Sequence, residues 1–527
     1  MGSYNSRRMA DEDSSISHSD SGSDSDSEQG LPHNYAHFLQ SLVNSGQVHI
    51  ITNDYDSYYS PPMPKITHRP NTTTLDSSEF SFITKQAAGL IDLQRKYISK
   101  EKNITNMLQN RERGMYTNNN FSRGNKCKIF NRYLPNEMSV LGDCIGKVFC
   151  GIFSKDGNCF ITASQDRYIR LHNSGDGSYR LFKSFRARDV GWSIIDVAFS
   201  PDRQHFVYST WSSSLHLCSV NDDSEHQEPL SLLNTGRRFC VFSVVFSSDG
   251  KELLGGANDG CLYIYDLQRH GSTLKIPAHE YDVNSVVFAD DSSHIIYSGG
   301  DDGLIKVWDR RTLDESQPKS VGILAGHMDG ITFIDSRGDG RHLISNSKDQ
   351  SIKLWDVRVF SGEKAAEKSL KAVHDQTWDY RWQEVPRKLY SSRSKLEGDT
   401  SVMTYRGHVV IKTLVRCRFS PAETTGQRYI YTGCGMGRVI VYDSLTGKIK
   451  GDINGHVACV RDVAWHPTRN EILSSSWDGM VGKWFFRNQD TLEDSNSWLE
   501  MDKSSYTSST PLRRSLRLAL KKRKEAT

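Results

Sequence analysis

The chain has 527 residues, 66 Lys and Arg against 63 Asp and Glu, a formal net charge of +3 and a hydrophobic fraction of 36%. The charge balance argues neither for nor against nucleic acid, and no nucleic-acid partner is expected; so low an apolar share implies long polar segments outside any packed core. No apolar run reaches membrane-spanning length and no N-terminal stretch has the pattern of a signal peptide, so a cytosolic or nuclear protein without a transmembrane segment is expected.

The first element in chain order is a head, residues 1–33. Residues 1–30 hold seven acids and two bases, and a stretch so rich in Ser, Asp and Glu is expected to be disordered. Ser21-Gly22-Ser23-Asp24-Ser25-Asp26-Ser27-Glu28 sets serines beside acids, open to acidophilic kinases and equally to plain solvation. Met1-Gly2-Ser3-Tyr4-Asn5-Ser6 fits the N-myristoylation pattern, which makes Gly2 a candidate lipidation site, although one acyl chain anchors weakly. An extension follows at 34–144. Within it, 35–43 puts Tyr35, Phe38, Leu39 and Leu42 on one helical face before a stop at Gly46. A helix that short is not stable alone, so docking into a partner's groove is expected, with packing on the chain's own rim as the alternative. Beyond a Pro-rich linker at 61–70, helical spacing returns from 78 to about 113 through Phe82, Ala88, Leu90, Ile91, Leu93, Ile104, Met107 and Leu108.

From 145 to 487 the chain repeats itself. A turn residue, an aliphatic three positions on and an aromatic or substitute six positions on recur as Asp166-Ile169-His172, Ser212-Leu215-Cys218, Asp259-Leu262-Tyr265, Asp302-Ile305-Trp308, Asp349-Ile352-Trp355, Met436-Val439-Tyr442 and Asp478-Val481-Trp484. The last positions step by 46, 47, 43, 47, 87 and 42. Such a period predicts a propeller of seven four-stranded blades, the double step marking an insertion. Each copy carries apolar alternation over strand length, and the faces so covered must stack on neighbouring blades. Gly-His pairs stand at Gly326-His327, Gly407-His408 and Gly455-His456, with Ala278-His279 as a variant, and each His precedes its turn Asp by 22 or 23 positions where an Asp is present. Hydrogen bonds from His279 to Asp302, His327 to Asp349 and His456 to Asp478 would satisfy both partners and lock the loops, so these residues read as structural and not as a metal or catalytic set. Ser212 and Met436 deprive their blades of the acid.

The insertion, 359–404, is rich in Lys and Ser and is expected to emerge as a loop. Its cluster Trp378, Asp379, Tyr380, Arg381 and Trp382 has the make-up of a binding hot spot, and Trp378, Tyr380, Arg381 and Trp382 are candidate substrate contacts, with tucking onto the rim as the alternative. Gly433-Cys434-Gly435-Met436-Gly437 falls on an inter-strand turn with no helix after it, which removes a nucleotide loop. No nucleophile elbow or Gly-Lys-Ser/Thr phosphate loop is present, and the ten Cys include no C-x-x-C pair, so no enzyme, metal or cofactor is expected and the cysteines read as buried reduced thiols. The tail, 488–527, is expected to be disordered and basic: residues 511–525 hold seven bases and one acid. Arg513-Arg514 and Lys521-Lys522-Arg523-Lys524 flank a six-residue spacer in the manner of a bipartite nuclear import signal, while Gly2 pulls toward membranes, so residence in both nucleus and cytoplasm is expected.

The repeat unit resembles that of WD-repeat proteins. Within them, Lys155-Asp156-Gly157, Ala187-Arg188-Asp189-Val190-Gly191-Trp192, Gly255-Gly256-Ala257-Asn258-Asp259-Gly260, Ile344-Ser345-Asn346-Ser347-Lys348-Asp349-Gln350, the Trp378 to Trp382 cluster, Ser474-Ser475-Ser476-Trp477-Asp478-Gly479 and, upstream, Asn110-Arg111-Glu112-Arg113-Gly114 are similar to the WD-repeat substrate receptors of cullin-4 ubiquitin ligases. The resemblance implies an all-β, seven-bladed WD-repeat propeller with a helical N-terminal extension. It also implies a Trp-Asp-x-Arg box that meets the ligase adaptor, damage-specific DNA-binding protein 1. Two boxes match, Trp308-Asp309-Arg310-Arg311 and Trp355-Asp356-Val357-Arg358. Arg311 and Arg358 lie just past a strand end in consecutive blades, so they should project from one face, where a planar five-donor fork suits a partner's carboxylates or carbonyls. A local salt bridge capping each blade is the alternative. The implied function is that of a non-enzymatic receptor joining protein substrates to the adaptor and cullin-4 ligase for ubiquitination and proteasomal degradation, with Phe38, Leu39 and Leu42 helping on the adaptor side. A nuclear scaffold in chromatin or RNA processing with no ligase is the alternative.

Overall fold

Blade four shows how the repeat becomes a ring. Its strands Val283–Phe288, Ile295–Gly300, Ile305–Asp309 and Gly322–Leu324 pair in sequence order, all antiparallel. Because successive strand residues point to opposite faces, Ile305 and Val307 bury against Ile331, Ile334 and Trp355 of the next blade, while Ile296 and Trp308 bury against Leu254 and Ile264 of the previous one. Neither face meets water, and each such side chain contributes roughly 1.5–3 kcal/mol that an isolated blade would forgo.

The computed structural model describes residues 70–92, 97–98, 103–114, 120–222, 225–232, 239–390 and 395–488. Seven four-stranded sheets occupy 148–186, 196–231, 241–277, 283–324, 331–406, 417–454 and 460–485, the last completed by Glu137–Asp143. That strand closes the ring by pairing with Met480–Phe485 in the register Met138 to Trp484 and Val140 to Gly482. The ring therefore begins eight residues before the expected 145. The strand Glu137–Asp143 bears no repeat motif of its own, which is why the periodicity missed it. In five blades the first strand bulges at the same place, for example between Val283 and Ser285 and between Ile331 and Phe333, which adds twist where the blades crowd the axis. Near that axis Arg416 reaches Asp196 at 2.7 Å and Asp462 at 3.1 Å, and Arg461 donates to the Phe149 and Ile195 carbonyls. Four first strands are thus tied through buried charge, each ion held by a partner of opposite sign or a carbonyl.

The extension differs from one continuous helical stretch over 78–113. Helices run at Glu79–Ala87, Ile104–Glu112 and Arg123–Phe130, with a two-residue strand pair, Ile91–Asp92 and Tyr97–Ile98, between the first two. Gly89 breaks the spacing: it adopts a φ of +71°, and a Cβ there would collide with the Gly124 carbonyl. The residue that anchors the first helix is Phe80, wholly buried, while Phe82 is half exposed. The Arg123–Phe130 helix sits on the short Ala422–Thr425 helix, where Asn131 donates to the Thr425 carbonyl and Arg123 pairs with Glu423 at 2.8 Å.

The insertion is not a plain loop. It contains a helix at Glu363–His374 and a 3-10 turn at Arg387–Tyr390, and the chain returns as Met403–Arg406, the outer strand of blade five. Among the described residues of 359–404 no blade forms, in keeping with the seven-fold count. Its return is pinned by Lys353 and Asp399, 2.7 Å apart and both buried. All ten cysteines are buried free thiols. The head with Gly2, the 35–43 stretch with Phe38, Leu39 and Leu42, and the tail from 489 lie outside the described residues.

Two candidate interaction faces of the ring

Four-stranded antiparallel blades give the ring two unlike ends. The loop entering each blade and the hairpin joining its second and third strands share one end. The hairpin joining the first and second strands, and the exit from the third strand, share the other. The paired His and Asp belong to the first end and the Trp-Asp-x-Arg boxes to the second.

At the loop end, His327 Nδ1 lies 2.9 Å from Asp349, its Nε2 lies 2.7 Å from Ser345 Oγ, and the Trp355 indole N–H donates to the same hydroxyl at 2.8 Å. Blade four repeats this with His279, Asp302, Ser298 and Trp308, and blade seven with His456, Asp478, Ser474 and Trp484. A neutral imidazole protonated at Nδ1 satisfies every member: indole to hydroxyl, hydroxyl to Nε2, Nδ1 to carboxylate. Burial pushes Asp349 up, but His327 beside it outweighs that and holds the carboxyl well below the usual range. These groups are saturated by one another, which leaves them nothing for a metal or a reaction. Among the described residues no cluster of His, Cys, Asp and Glu could hold a metal ion. In blade six, without the acid, His408 turns to the Tyr442 hydroxyl and Asn346, and burial depresses it to about 3.

The same end carries the insertion cluster. The Trp378 indole donates to Asp329 at 2.9 Å, Lys348 lies over the Tyr380 ring at 4.3 Å, and Arg381 forks onto Asp379. These three side chains are half-buried against the ring, whereas Trp382 is 65% exposed. Of the four candidate substrate contacts, only Trp382 stands clear. At the same end of the ring, a cavity of about 210 Å3 opens between Glu280, Tyr281 and Asp302 of the ring and Leu370, Lys371, Val373 and His374 of the insertion helix. Burial, reinforced by Asp301, pushes Asp282 up to about 7, and burial pushes Asp329 up to about 6.

At the hairpin end, both box tryptophans are buried, Trp308 at 2% and Trp355 at 0% exposure. Arg311 folds back on Asp309, Nε to Oδ1 at 2.9 Å and an Nη to Oδ2 at 2.7 Å, and Arg358 does the same to Asp356 at 3.0 and 2.6 Å. Hydrogen bonds from Arg311 hold Asp309 at about 2. The local salt bridge thus exists, yet it does not consume the guanidinium. One edge of each is tied to its own Asp; the other, with its remaining N–H groups, stays available in Arg311, whose side chain is 62% exposed, whereas Arg358, 48% exposed, spends part of it on a second carboxylate. The two differ in one respect that the sequence did not indicate. Arg358 also donates to Glu79 of the extension at 3.0 Å, and Arg341 grips the same carboxylate at 2.7 and 2.5 Å. Glu79 and Arg341 carried no motif. The serines of the His network could have been found, since Ser298, Ser345 and Ser474 each precede the blade tryptophan by ten positions.

The WD domain, G-beta repeat family matches residues 140–173, 229–266, 271–309, 318–356 and 447–484. The repeats at Ser212 and Met436, which lack the turn acid, fall outside these matches. The chain is 41% identical to a LEC14B homolog of Prunus armeniaca over 396 residues, 73% of this chain and 82% of that protein. It is 44% identical to a protein of Caenorhabditis elegans described as a DDB1- and CUL4-associated factor 11 homolog, over 370 residues, 68% of this chain and 64% of the other. The protein of the same description in Caenorhabditis briggsae is 38% identical over 68% of this chain and 67% of its own length.

Proposed function

Because the chain belongs to the family of the LEC14B proteins and the DDB1- and CUL4-associated factor 11 homologs, we propose that it is a substrate receptor of a cullin-4 RING ubiquitin ligase. The observation that carries this reading is the pair of forked arginines, Arg311 and Arg358, exposed at one end of adjoining blades. Damage-specific DNA-binding protein 1 would meet that end, where carboxylates or carbonyls on its surface take the open guanidinium edge of Arg311. Phe38, Leu39 and Leu42 are proposed to add an apolar anchor. The opposite end, with Trp382 and the cavity between the ring and the insertion helix, is left for the protein substrate. The chain would contribute positioning and raised local concentration, the bond-making being done by other subunits.

Residence in both nucleus and cytoplasm belongs to the same reading and rests on the two basic clusters near the C-terminus set against Gly2. Truncation after residue 510 should lower the nuclear fraction of a tagged protein, and an unchanged fraction would remove the tail from the argument.

The direct test is binding of the purified chain to purified damage-specific DNA-binding protein 1. Arg311→Ala with Arg358→Ala should weaken it about tenfold or more with an unchanged circular dichroism spectrum, since neither side chain is in the core. Wild-type chain that fails to bind would favour the scaffold reading.

A further inference from the structure

The two boxes are not duplicates. Blade five's box is already occupied, by the chain itself. The helix Glu79–Ala87 starts at Ser78, whose side chain accepts from the Ser81 N–H, and this fixes the first turn that carries Glu79. The next residue, Phe80, is sunk between Phe419 and His342, with Arg337 over its ring at 4.5 Å. Arg337, Arg341 and His342 all belong to the first hairpin of blade five, so Phe80 and Glu79 plug the gap between that hairpin and the box. Glu79 there bridges Arg341 and Arg358. Blade four has no counterpart: Arg311 bonds only its own Asp309 among the described residues. From this end, the extension covers hairpins of blades five, six and seven, through Phe80, through Arg123 with Glu423, and through Asn470 held by the Tyr133 carbonyl.

We propose that Arg358, with Arg341, is a positioning residue that docks the chain's own extension through Glu79, and that the surface offered to the adaptor is a composite of Arg311 and the docked Glu79–Ala87 helix. This rests on the receptor reading for its partner, though not for the clamp itself. The half-exposed ion pairs alone would be worth little in water. Their effect comes from being shared by one carboxylate and backed by a buried Phe, which selects a single seat for the helix.

Two measurements on the full chain separate the parts: amide hydrogen exchange over 79–87, and affinity for damage-specific DNA-binding protein 1. Glu79→Gln and Arg358→Ala should each speed exchange in the helix about tenfold and weaken adaptor binding about fivefold, and the double variant should be no worse than the weaker single. Arg311→Ala should weaken binding at least as much while leaving exchange unchanged. Weakened binding in Arg358→Ala with an unchanged helix would overturn the proposal and make Arg358 a direct contact. Binding that is unaltered or tighter in Glu79→Gln would overturn it too, the tighter case making the helix a blocking element. If the wild type does not bind, the receptor reading fails and the composite surface with it, and the exchange data then decide the clamp alone.

Discussion

His327 shows what a single side chain contributes to this fold. Its ring joins Asp349 to Ser345, whose hydroxyl also takes the Trp355 N–H, so replacing His327 by Ala breaks the network and removes one donor from a buried carboxylate that keeps the Met328 and Ser351 N–H groups and the Ser351 hydroxyl. We expect His327→Ala to cost roughly 2–4 kcal/mol and Ser345→Ala about 1–2 kcal/mol, read as a lower urea midpoint at constant slope. Equal losses would mean that the imidazole does not carry the network. Half of this was legible in the sequence, because a His and an Asp 22 or 23 residues apart recur with the blades. Glu79 was not, because its partners lie 262 and 279 residues away and nothing local marks a first-turn acid for a distant arginine. Protonation behaves differently at two nearby sites. Asp349 is held below its ordinary value, so its contribution is present at neutral pH and lost as the pH falls below about 4. Asp282 is raised from 3.8 to about 7 by burial and by Asp301, so the folded state keeps a proton that the unfolded chain gives up, and stability drains away as the pH rises from 4 through 7. Asp282→Asn should therefore raise the melting temperature at pH 8 by on the order of 2 °C and leave it unchanged at pH 4. A uniform shift at both values would sink this assignment.

Among the elements, the insertion departs furthest from its sequence pattern. Its Lys- and Ser-rich composition suggests a loop, yet Glu363–His374 is helical: Glu, Lys, Ala and Leu are good helix formers, Ala365, Ala366 and Leu370 share a face that packs on Leu304, Ile323 and Ala325 of blade four, and Ser369 Oγ donates to the His327 carbonyl. The helical signal was thus present locally at 363–374, hidden by the polar average over the whole insertion. The insertion has one anchor that matters more than its length. Lys353 points from the third strand of blade five into Asp399, and neither side chain reaches solvent. Asp399→Ala should cost about 3–5 kcal/mol by leaving a buried ammonium unpaired, and adding Lys353→Met should recover most of it. Chemical denaturation of the two variants checks this, and a double variant no more stable than the single would show that the site needs its charge. Trp378→Ala should lower the melting temperature because the indole ties the insertion to Asp329, while Trp382→Ala, at an exposed side chain, should not.

For the whole molecule, stability depends on closing a circle. Each blade is sandwiched between two others, so the ring has no natural end except where the chain begins and stops. The repeat pattern located six blades and three strands of the seventh from spacing alone. The remaining strand, Glu137–Asp143, came from the segment assigned to the extension, and it is recognisable only from what it pairs with: Met138 opposite Trp484, packed with Leu134 against Tyr429 and Trp465. A chain starting at residue 145 would respect the motif boundary and lose that strand, leaving Met480–Phe485 as a bare edge beside an uncovered tryptophan. The loss of its ladder bonds and apolar cover should amount to on the order of 5 kcal/mol or more, and an unpaired edge invites association between copies. A chain starting at residue 70 keeps the closing strand, the Phe80 anchor and the Glu79 clamp. We expect the 70–527 chain to elute as a single species and melt cooperatively within a few degrees of the full chain, and the 145–527 chain to aggregate or to melt at least about 10 °C lower. Size-exclusion chromatography with calorimetry compares them directly, and a 145–527 chain as soluble and as stable as its longer counterpart would mean that the ring does not depend on this strand for closure.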